Sequence, residues 1–387
     1  MLQLSFSLPQ NHETNFQYLN LPANIKWYDD TTITLNQRRK NLLKYCNDTG
    51  CDALVAFEPE NLFYMTGFWG EAIGILDKNG CTIISPELEI GRAKAESTDC
   101  DVIKSERGKG SIGTVINRLQ KNKVCTDSDS YGTVSSLKKS LPKVESSTDP
   151  FYRAREVKDS QEIGILQKAS SILDEMYEMC VDTMMIGQTE AQLQTILMQY
   201  GMERGMFATG YRSTLNPLII AGGPNGSLPH AQVTDRKFKS GDMVVVDLTL
   251  RYKGYVSDAT RTFAVGKVSD EAKKIYEIVR QSQEAGLKAV KPGTSCKSVD
   301  DACRKTIEKK HYGRFFIHST GHGIGLEVHE LPNIGPSSKA VLSKNMAITV
   351  EPGIYIPKKF GIRIEDSVIV GNKVNIMHKF TKELITV

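Results

Sequence analysis

The sequence MVVVDLTLRYKGYVSDATRTF, residues Met243–Phe263, predicts a β-hairpin that carries two carboxylates. Three consecutive valines precede Asp247, the pair Lys253-Gly254 supplies a turn, and a second strand contains Asp258. Two like charges on neighbouring strands in an apolar setting are costly to bury unless a positive group lies between them. A single aspartate would be expected only to cap or hydrogen-bond a turn, but the pair predicts a bound metal ion.

Three downstream phrases add further candidate ligands: GHGIG at 321–325, VEPG at 350–353 and RIED at 363–366. With the hairpin they give one imidazole and four carboxylates, contributed by Asp247, Asp258, His322, Glu351 and Glu365. This hard, oxygen-rich and anionic set suits Mn²⁺, Co²⁺, Fe²⁺ or Zn²⁺. Four acids are also enough to bridge two ions about 3.5–4 Å apart, so we predict a dinuclear site.

Composition and charge place the chain among ordinary soluble proteins. Its 387 residues favour two or more domains, and its 40% hydrophobic and 24% charged residues are typical of globular chains. A net charge of only +4, with Lys and Arg dispersed along the chain, does not indicate a nucleic-acid partner.

The cysteines and the N-terminal residues indicate the cellular compartment of the protein. Eight cysteines without a CxxC pair predict reduced thiols in a cytosolic protein. Residues 1–30 are polar and predict an extended leader rather than a signal peptide. No run approaches the roughly 18 apolar residues of a membrane span, so no membrane association is expected.

The pattern of helices and strands predicts two domains. Helices and strands alternate in the first part of the chain, which predicts an α/β domain. A polar segment at 140–150 predicts a linker, and we place the domains at residues 1–148 and 149–387. The second domain is expected to contain two units, each with helices followed by strands.

Local signals in the second domain predict particular elements. Asp159 and Thr189 are predicted to open helices with capping boxes. Ser298 is predicted to cap a later helix, and Phe315–Ser319 is predicted as a strand.

Four phrases in a fixed order carry a family resemblance: VDLTLRYKGYVSDATRTF, HSTGHGIGLEVHE, TVEPGIYIP and GIRIEDSV. They resemble the Xaa-Pro peptidase branch, prolidase and aminopeptidase P, of the pita-bread metallopeptidase family. The phrase NLFYMTGF at 61–68 resembles the N-terminal domain of prolidase-type enzymes, although its apolar residues also suit core packing. The resemblance implies an α+β fold, in which an α/β creatinase/prolidase-type domain precedes a pita-bread domain with metals inside a curved antiparallel sheet.

The resemblance also implies a reaction and a role for each ligand. The reaction is metal-dependent hydrolysis of Xaa-Pro bonds at peptide N-termini, with a hydroxide between two divalent ions as the nucleophile. Asp247 resembles the terminal ligand of one ion, Asp258 and Glu365 resemble bridging carboxylates, and His322 and Glu351 resemble ligands of the other ion. Glu351 is expected to carry a proton to the leaving amine as well. Mn²⁺ or Co²⁺ is expected first, and Fe²⁺ or Zn²⁺ also fits.

Other polar residues in the matched phrases are candidate substrate contacts. His230 and His329 resemble two family histidines that hydrogen-bond the substrate or the tetrahedral intermediate, and we predict them as catalytic and substrate-binding residues. Arg363, two residues before Glu365 and therefore on the same strand face, is expected to orient a bridging carboxylate or to bind a peptide end.

Three further side chains have two interpretations each. Tyr255 and Thr260 flank Asp258 and are either hydrogen-bond donors to the ligands or ordinary strand residues. His318 is either a neighbour of the ligands or a structural histidine.

One position departs from the family pattern. Prolidases that this chain resembles tend to carry an arginine just after the His-Glu-x-Pro phrase, where it binds the free carboxylate of a dipeptide. Here the residue is Asn333, which cannot form a bidentate charged pair. Lys339 or Arg363 is an alternative cation, and without one the expected substrates are longer Xaa-Pro peptides, as for aminopeptidase P.

The expected partners are therefore short proline-containing peptides. The resemblance implies a homodimer, and the cysteines predict a cytoplasmic location. The alternatives are an aminopeptidase of this fold without proline specificity, or a non-enzymatic scaffold protein. A methionine aminopeptidase is disfavoured because that enzyme lacks such an N-terminal domain. A scaffold protein is disfavoured because this chain keeps all five ligands.

Overall fold

The computed structural model describes residues 32–210 and 215–387. The leader predicted for residues 1–30 lies outside the described residues. Within those residues, no helix has both the length and the apolar character that a membrane crossing requires.

A six-stranded mixed sheet organises the N-terminal part of the chain. Its strands are β1 (Ala53–Ala56), β2 (Ile73–Asp77), β3 (Gly80–Ser85), β4 (Asp101–Lys104), β5 (Lys123–Thr126) and β6 (Lys143–Ser146). The spatial order is β4-β3-β2-β1-β5-β6, in which β1, β2 and β3 pair antiparallel and the outer neighbours pair parallel.

The helices of this part are α1 (Thr32–Asp48), α2 (Pro59–Thr66), α3 (Ile90–Glu96), α4 (Lys109–Leu119), α5 (Tyr131–Lys138) and α6 (Asp149–Glu156). Together with the sheet they confirm the predicted α/β architecture.

The polar segment at 140–150 is not a linker, so that part of the prediction is wrong. It contains β6, where Val144 is buried and pairs with Val124 of β5. Pro150 then lies in the first turn of α6, a position where the missing proline N–H costs no hydrogen bond. The division at residues 148 and 149 stays a prediction.

The C-terminal part contains two helix-then-strand units, as the sequence predicted. The first consists of α7 (Ser160–Thr183), α8 (Glu190–Glu203), β7 (Met206–Ala208), β8 (Ile219–Gly222), β9 (Met243–Tyr252) and β10 (Tyr255–Ala264). The second begins with α9 (Asp270–Ala289) and α10 (Cys296–Glu308). Its strands are β11 (Gly321–Gly323), β12 (Glu330–Ile334), β13 (Ala347–Val350), β14 (Gly353–Ile356), β15 (Phe360–Arg363), β16 (Asp366–Ile369) and β17 (Asn375–Ile376).

Antiparallel sheets from the two units meet in the middle of this part. In the first unit the strand order is β10-β9-β7, with β8 also paired to β9, and in the second it is β12-β11-β13-β16-β17. Strands β14 and β15 form a separate hairpin. A bridge between Thr260 and Glu365 joins the sheets, so ligands from both units come together there.

Helix caps in the C-terminal part partly follow the sequence signals. Both predicted capping boxes, at Asp159 and Thr189, are present. The prediction for Ser298 is wrong, because Ser295 is the N-cap and its side-chain oxygen accepts the Ser298 N–H at 3.1 Å.

The strand predicted for Phe315–Ser319 is also absent. Gly313–Phe315 is a 3₁₀ helix, and the chain then bends. The carbonyls of Phe316 and His318 accept hydrogen bonds from Arg304 at 3.1 and 3.0 Å, so a side chain occupies groups that a neighbouring strand would need.

Candidate metal centre

The predicted hairpin forms and directs two aspartates to one side. Strands β9 and β10 pair with Asp247 opposite Thr260 and Thr249 opposite Asp258. Because side chains alternate along a strand, these four residues share one face. The Thr249 hydroxyl lies 3.1 Å from Asp247 Oδ1 and 2.9 Å from Asp258 Oδ1, which fixes both carboxylates.

Glu365, from the second unit, lies beside Asp247 and Asp258. Its backbone N–H donates to the Thr260 carbonyl at 3.0 Å, and the Thr260 hydroxyl donates to Glu365 Oε2 at 2.7 Å. Arg261 supports the backbone at this point by donating to the Glu365 carbonyl at 2.5 Å. The side chain is buried, and Oε1 has no hydrogen-bond partner among the described residues.

His322 lies between Gly321 and Gly323 in strand β11, and neither glycine position has room for a side chain. A Cβ on Gly321 would lie 2.1 Å from the Thr349 carbonyl oxygen, and one on Gly323 would lie 2.0 Å from the Leu331 carbonyl oxygen. The imidazole Nδ1 is 3.0 Å from the Gly323 carbonyl, which assigns the proton to Nδ1. Nε2 then faces Glu351 Oε1 at 3.3 Å and Asp258 Oδ2 at 3.9 Å.

All eight site residues predicted from the sequence line one cavity of about 320 Å³. They are the five predicted ligands Asp247, Asp258, His322, Glu351 and Glu365 together with His230, His329 and Arg363. Ligand atoms of Asp258, His322 and Glu365 all lie within 4.8 Å of one another, a spacing that fits coordination of a metal ion.

Mutual repulsion among the buried carboxylates favours a cation between them. Burial, followed by repulsion from Asp247 and Glu351, raises the pKa of Asp258. Burial and repulsion from Asp258 likewise raise the pKa of Glu365. A metal ion would remove this repulsion and coordinate Glu365 Oε1, so the residues present fit divalent metal ions.

Glu351 and His322 behave as an ion pair within the cluster. Burial opposes ionisation of Glu351, but the hydrogen bond and charge of His322 outweigh it and lower the pKa of Glu351 to about 2. Burial likewise opposes the charged form of His322, whereas Glu351 raises its pKa on balance.

All three nitrogen atoms of the Arg363 guanidinium donate hydrogen bonds. It donates to Asp247 Oδ2 at 2.5 Å, to the Thr260 hydroxyl at 3.0 Å and to the Tyr355 hydroxyl at 2.7 Å. The Tyr355 hydroxyl is also 3.0 Å from His318 Nε2, which places His318 beside the ligands. Arg363 therefore holds the carboxylate of the candidate ligand Asp247 in place.

Asn333, His230 and His329 lie at the wall of the cavity. Among the described lining residues, Arg363 is the only lysine or arginine, and Lys339 is not among them. The rings of His322 and His329 are 4.3 Å apart. Desolvation in the cleft, with His322 nearby, lowers the pKa of His329 to about 4, so this imidazole is neutral at pH 7.

Sequence reasoning missed two polar neighbours of the candidate ligands and left two interpretations open for Tyr255, of which the structure supports the ordinary strand residue. Thr249 follows Asp247 by two residues, so strand alternation was a usable signal for its position on the same face. Tyr355, inside the matched phrase TVEPGIYIP, had no separate signal. Tyr255 is three residues from Asp258 and faces the other way, where its hydroxyl donates to Glu162 Oε1 at 3.0 Å.

Two protein-family models match the chain. Residues 164–372 match the model of metallopeptidase family M24, and residues 38–157 match the creatinase/prolidase N-terminal domain. The chain belongs to metallopeptidase family M24, and the resemblance inferred from the four sequence phrases is confirmed.

Individual relatives include Xaa-Pro dipeptidases and an X-Pro aminopeptidase. An Xaa-Pro dipeptidase of Pyrococcus furiosus is 34% identical over 371 residues, covering 91% of this chain and 100% of the relative. The structure of an Xaa-Pro dipeptidase from Bacillus anthracis has a TM-score of 0.84 at 31% identity, covering 91% of this chain and 100% of that one. An X-Pro aminopeptidase from Thermotoga maritima has a TM-score of 0.80 at 30% identity, covering 90% and 99% respectively.

Proposed function

We propose that this chain is a metal-dependent peptidase that hydrolyses Xaa-Pro bonds at the N-termini of short peptides. The observation that carries the proposal is the convergence of Asp258, His322 and Glu365 in a buried cluster with the correct spacing for a metal. The activities named for the relatives support the Xaa-Pro substrate class.

The metal centre would be held by five side chains: Asp247, Asp258, His322, Glu351 and Glu365. Two divalent ions bound there would supply Lewis acidity and a water of near-neutral pKa. We propose Mn²⁺ or Co²⁺ ahead of Fe²⁺ or Zn²⁺, all of which suit carboxylate and imidazole ligands.

The chain's own groups would then position the substrate and move protons. Glu351 would carry a proton toward the leaving amine, a role supported by its carboxylate, which borders the cavity and lies beside His322. The neutral His329 and the exposed His230 would hydrogen-bond the reacting carbonyl from the cavity wall. Arg363 would hold Asp247 in place through the 2.5 Å contact.

We further propose a cytoplasmic homodimer. All eight cysteines are free thiols in the structure, which supports a reducing compartment. The dimer is supported by the family resemblance, and sedimentation equilibrium of the purified chain tests it, since a single monomeric species would contradict it.

The proposed activity is tested by hydrolysis of matched peptides. Xaa-Pro dipeptides and Xaa-Pro-Yaa tripeptides are compared with Xaa-Ala controls, after Mn²⁺ or Co²⁺ loading and after chelation. We expect cleavage of the proline series alone, lost with the chelator and restored by the metal. Equal cleavage of the Xaa-Ala series would overturn the proline specificity.

A matched pair of variants separates the metal site from general effects of charge removal. Asp258→Asn is expected to abolish the activity, whereas Asp235→Asn changes an exposed aspartate that does not line the cavity and should leave it intact. Full activity of Asp258→Asn would contradict the assignment.

A further inference from the structure

Two cysteines outside the metal centre lie side by side in the N-terminal sheet. Strands β3 and β4 are parallel, with Thr82 opposite Asp101, and each cysteine immediately precedes one member of that pair. Cys81 therefore neighbours Cys100 across the sheet, and both side chains line the same surface cleft. Because the two cysteines lie opposite each other where β3 and β4 begin to pair, their sulfur atoms can form a disulfide with little movement of either strand.

The two thiols have different surroundings. Cys81 is 5% exposed, whereas Cys100 is the one cysteine of the eight that is not buried. Arg39 donates to Cys100 Sγ at 3.1 Å. The same guanidinium is fixed by the carbonyls of Met65 and Thr98 at 2.9 and 2.6 Å, so it is held beside the sulfur.

These surroundings favour a thiolate at one sulfur and a thiol at the other. The hydrogen bond from Cys81 and the charge of Arg39 lower the pKa of Cys100 despite the opposing effect of burial. The same hydrogen bond, with burial, raises the pKa of Cys81. Elsewhere burial raises the pKa of Cys125 to about 12, of Cys303 to about 12 and of Cys296 to about 11.

We propose that Cys100 and Cys81 form a redox-active dithiol that low-molecular-weight disulfides oxidise to an intramolecular disulfide. A surface cleft of about 830 Å³, lined by both cysteines and by Arg39, gives such a reagent access. The site is separate from the metal centre, and the proposal does not depend on the peptidase activity.

The chemistry takes two thiol–disulfide exchanges. In the first, the Cys100 thiolate attacks one sulfur of the small disulfide, a mixed disulfide forms, and one small thiolate leaves. In the second, Cys81 loses its proton to solvent and attacks the Cys100 sulfur, and the second small thiolate leaves. The protein loses two thiol hydrogens and two electrons, and the small disulfide is reduced to two thiols.

The product would tie β3 to the segment that precedes β4. Because the bond closes the loop from residue 81 to residue 100, it restricts the unfolded chain and is expected to raise the melting temperature. Neither cysteine lines the metal-centre cavity, so the peptidase activity should stay unchanged.

The test uses the reduced full chain incubated with oxidised glutathione, followed by peptide mapping without reductant. We expect one disulfide that joins Cys81 to Cys100, with loss of two of the eight free thiols. A map that shows no disulfide, or that joins other cysteines such as Cys51 and Cys125, would overturn the proposal.

Two single variants assign the order of attack. Cys81→Ser should accumulate glutathione on Cys100, since the second exchange is removed, and Cys100→Ser should lose the reaction. Oxidation of Cys100→Ser at the wild-type rate would contradict the assignment of the attacking thiol. On the wild-type chain, the pH profile of alkylation at Cys100 should have its midpoint below the ordinary thiol value of about 8.5, and a midpoint above it would contradict the assignment.

Discussion

The Thr249 hydroxyl is the clearest case of a single residue that organises the candidate metal centre without being a ligand. It lies within 3.1 Å of Asp247 and 2.9 Å of Asp258. Thr249→Val keeps the shape and removes the hydrogen bond, so we expect metal affinity to fall by about tenfold or more. Titration of the metal-free chain with Mn²⁺ measures this change.

Thr249→Ser is the matched control, because it restores a hydroxyl at the same position. Its metal affinity should be close to that of the wild type. If the valine and serine variants bind Mn²⁺ equally well, the hydroxyl has no role in holding the carboxylates.

Asn333 is the residue at which substrate length can be tested. In the described cavity wall the only lysine or arginine is Arg363, which is committed to Asp247 and its neighbours. Asn333→Arg supplies a cation for the free carboxylate of a dipeptide. We expect kcat/KM for Xaa-Pro dipeptides to rise by about tenfold, in line with a charge-assisted hydrogen bond, with little change for tripeptides.

Asn333→Met controls for side-chain length without charge and should not favour dipeptides. An equal change for dipeptides and tripeptides in the arginine variant would mean that position 333 does not contact the peptide carboxylate.

At the residue scale, the convergence of the candidate ligands on one cavity was predictable because strand alternation and spacing are visible in the sequence. Asp247 and Asp258 needed only a hairpin of the correct register to share a face. The same rule would have excluded Tyr255 and included Thr249. The contacts of Arg363 with Tyr355 depend on how two hairpins pack, which no local pattern encodes.

At the scale of single elements, strand β11 depends on its two glycines. Gly323→Ala would place a Cβ 2.0 Å from the Leu331 carbonyl oxygen, a backbone clash that cannot relax by side-chain rotation. We expect a loss of about 3 kcal/mol in the free energy of unfolding, together with weaker metal binding by His322. Urea unfolding and metal titration measure the two effects.

Gly91→Ala is the matched control, because the position is helical and has no atom within 4 Å of an added Cβ. It should be neutral or stabilise by up to about 1 kcal/mol. Equal stability of the two variants would mean that β11 tolerates a side chain at position 323.

Elements with strong local signals were predicted well, and those set by distant contacts were not. The capping boxes at Asp159 and Thr189 are complete within four residues, so sequence alone identifies them. Ser295 and Ser298 are both plausible caps three residues apart, and the extended backbone of Ser295 makes it the N-cap. The Phe315–Ser319 segment is apolar enough for a strand, but Arg304 takes up its carbonyls.

At the scale of the whole molecule, a buried charged cluster connects the N-terminal part to the cavity wall. Arg155 of α6 donates to Asn61 Oδ1 at 2.6 Å and to Glu330 Oε1 at 2.5 Å, and it also contacts Glu327. Glu327 and Glu330 flank His329 in sequence. The position of that histidine therefore depends on a residue far away in the chain, which motif spacing alone could not predict.

The pH dependence of stability can be tested at Glu162, which is fully buried where α7 meets β10. Burial raises its pKa from 4.5 to about 7. Because the folded-state pKa is raised, its contribution to stability is complete below about pH 4.5 and is lost as the pH rises through 7. Relative to the wild type, Glu162→Gln should gain about 2 kcal/mol in unfolding free energy between pH 5 and 8.

Urea unfolding at both pH values measures this difference, and Glu308→Gln, at an exposed position, serves as the control. The glutamine can still accept from the Asp159 N–H and pair with the Tyr255 hydroxyl, so the fold should be retained. A pH-independent difference between Glu162→Gln and the wild type would contradict the raised pKa.

The most direct test of the central claim is the metal content of the full chain after loading with Mn²⁺ and removal of free ion, measured by mass spectrometry of the metal. The account predicts two ions per chain, because four carboxylates and one imidazole converge on the cavity. Glu365→Gln, which removes one of the two carboxylates predicted to bridge the ions, should lose at least one of them. A wild-type chain that retains no ion, or a Glu365→Gln chain with undiminished content, would contradict the account.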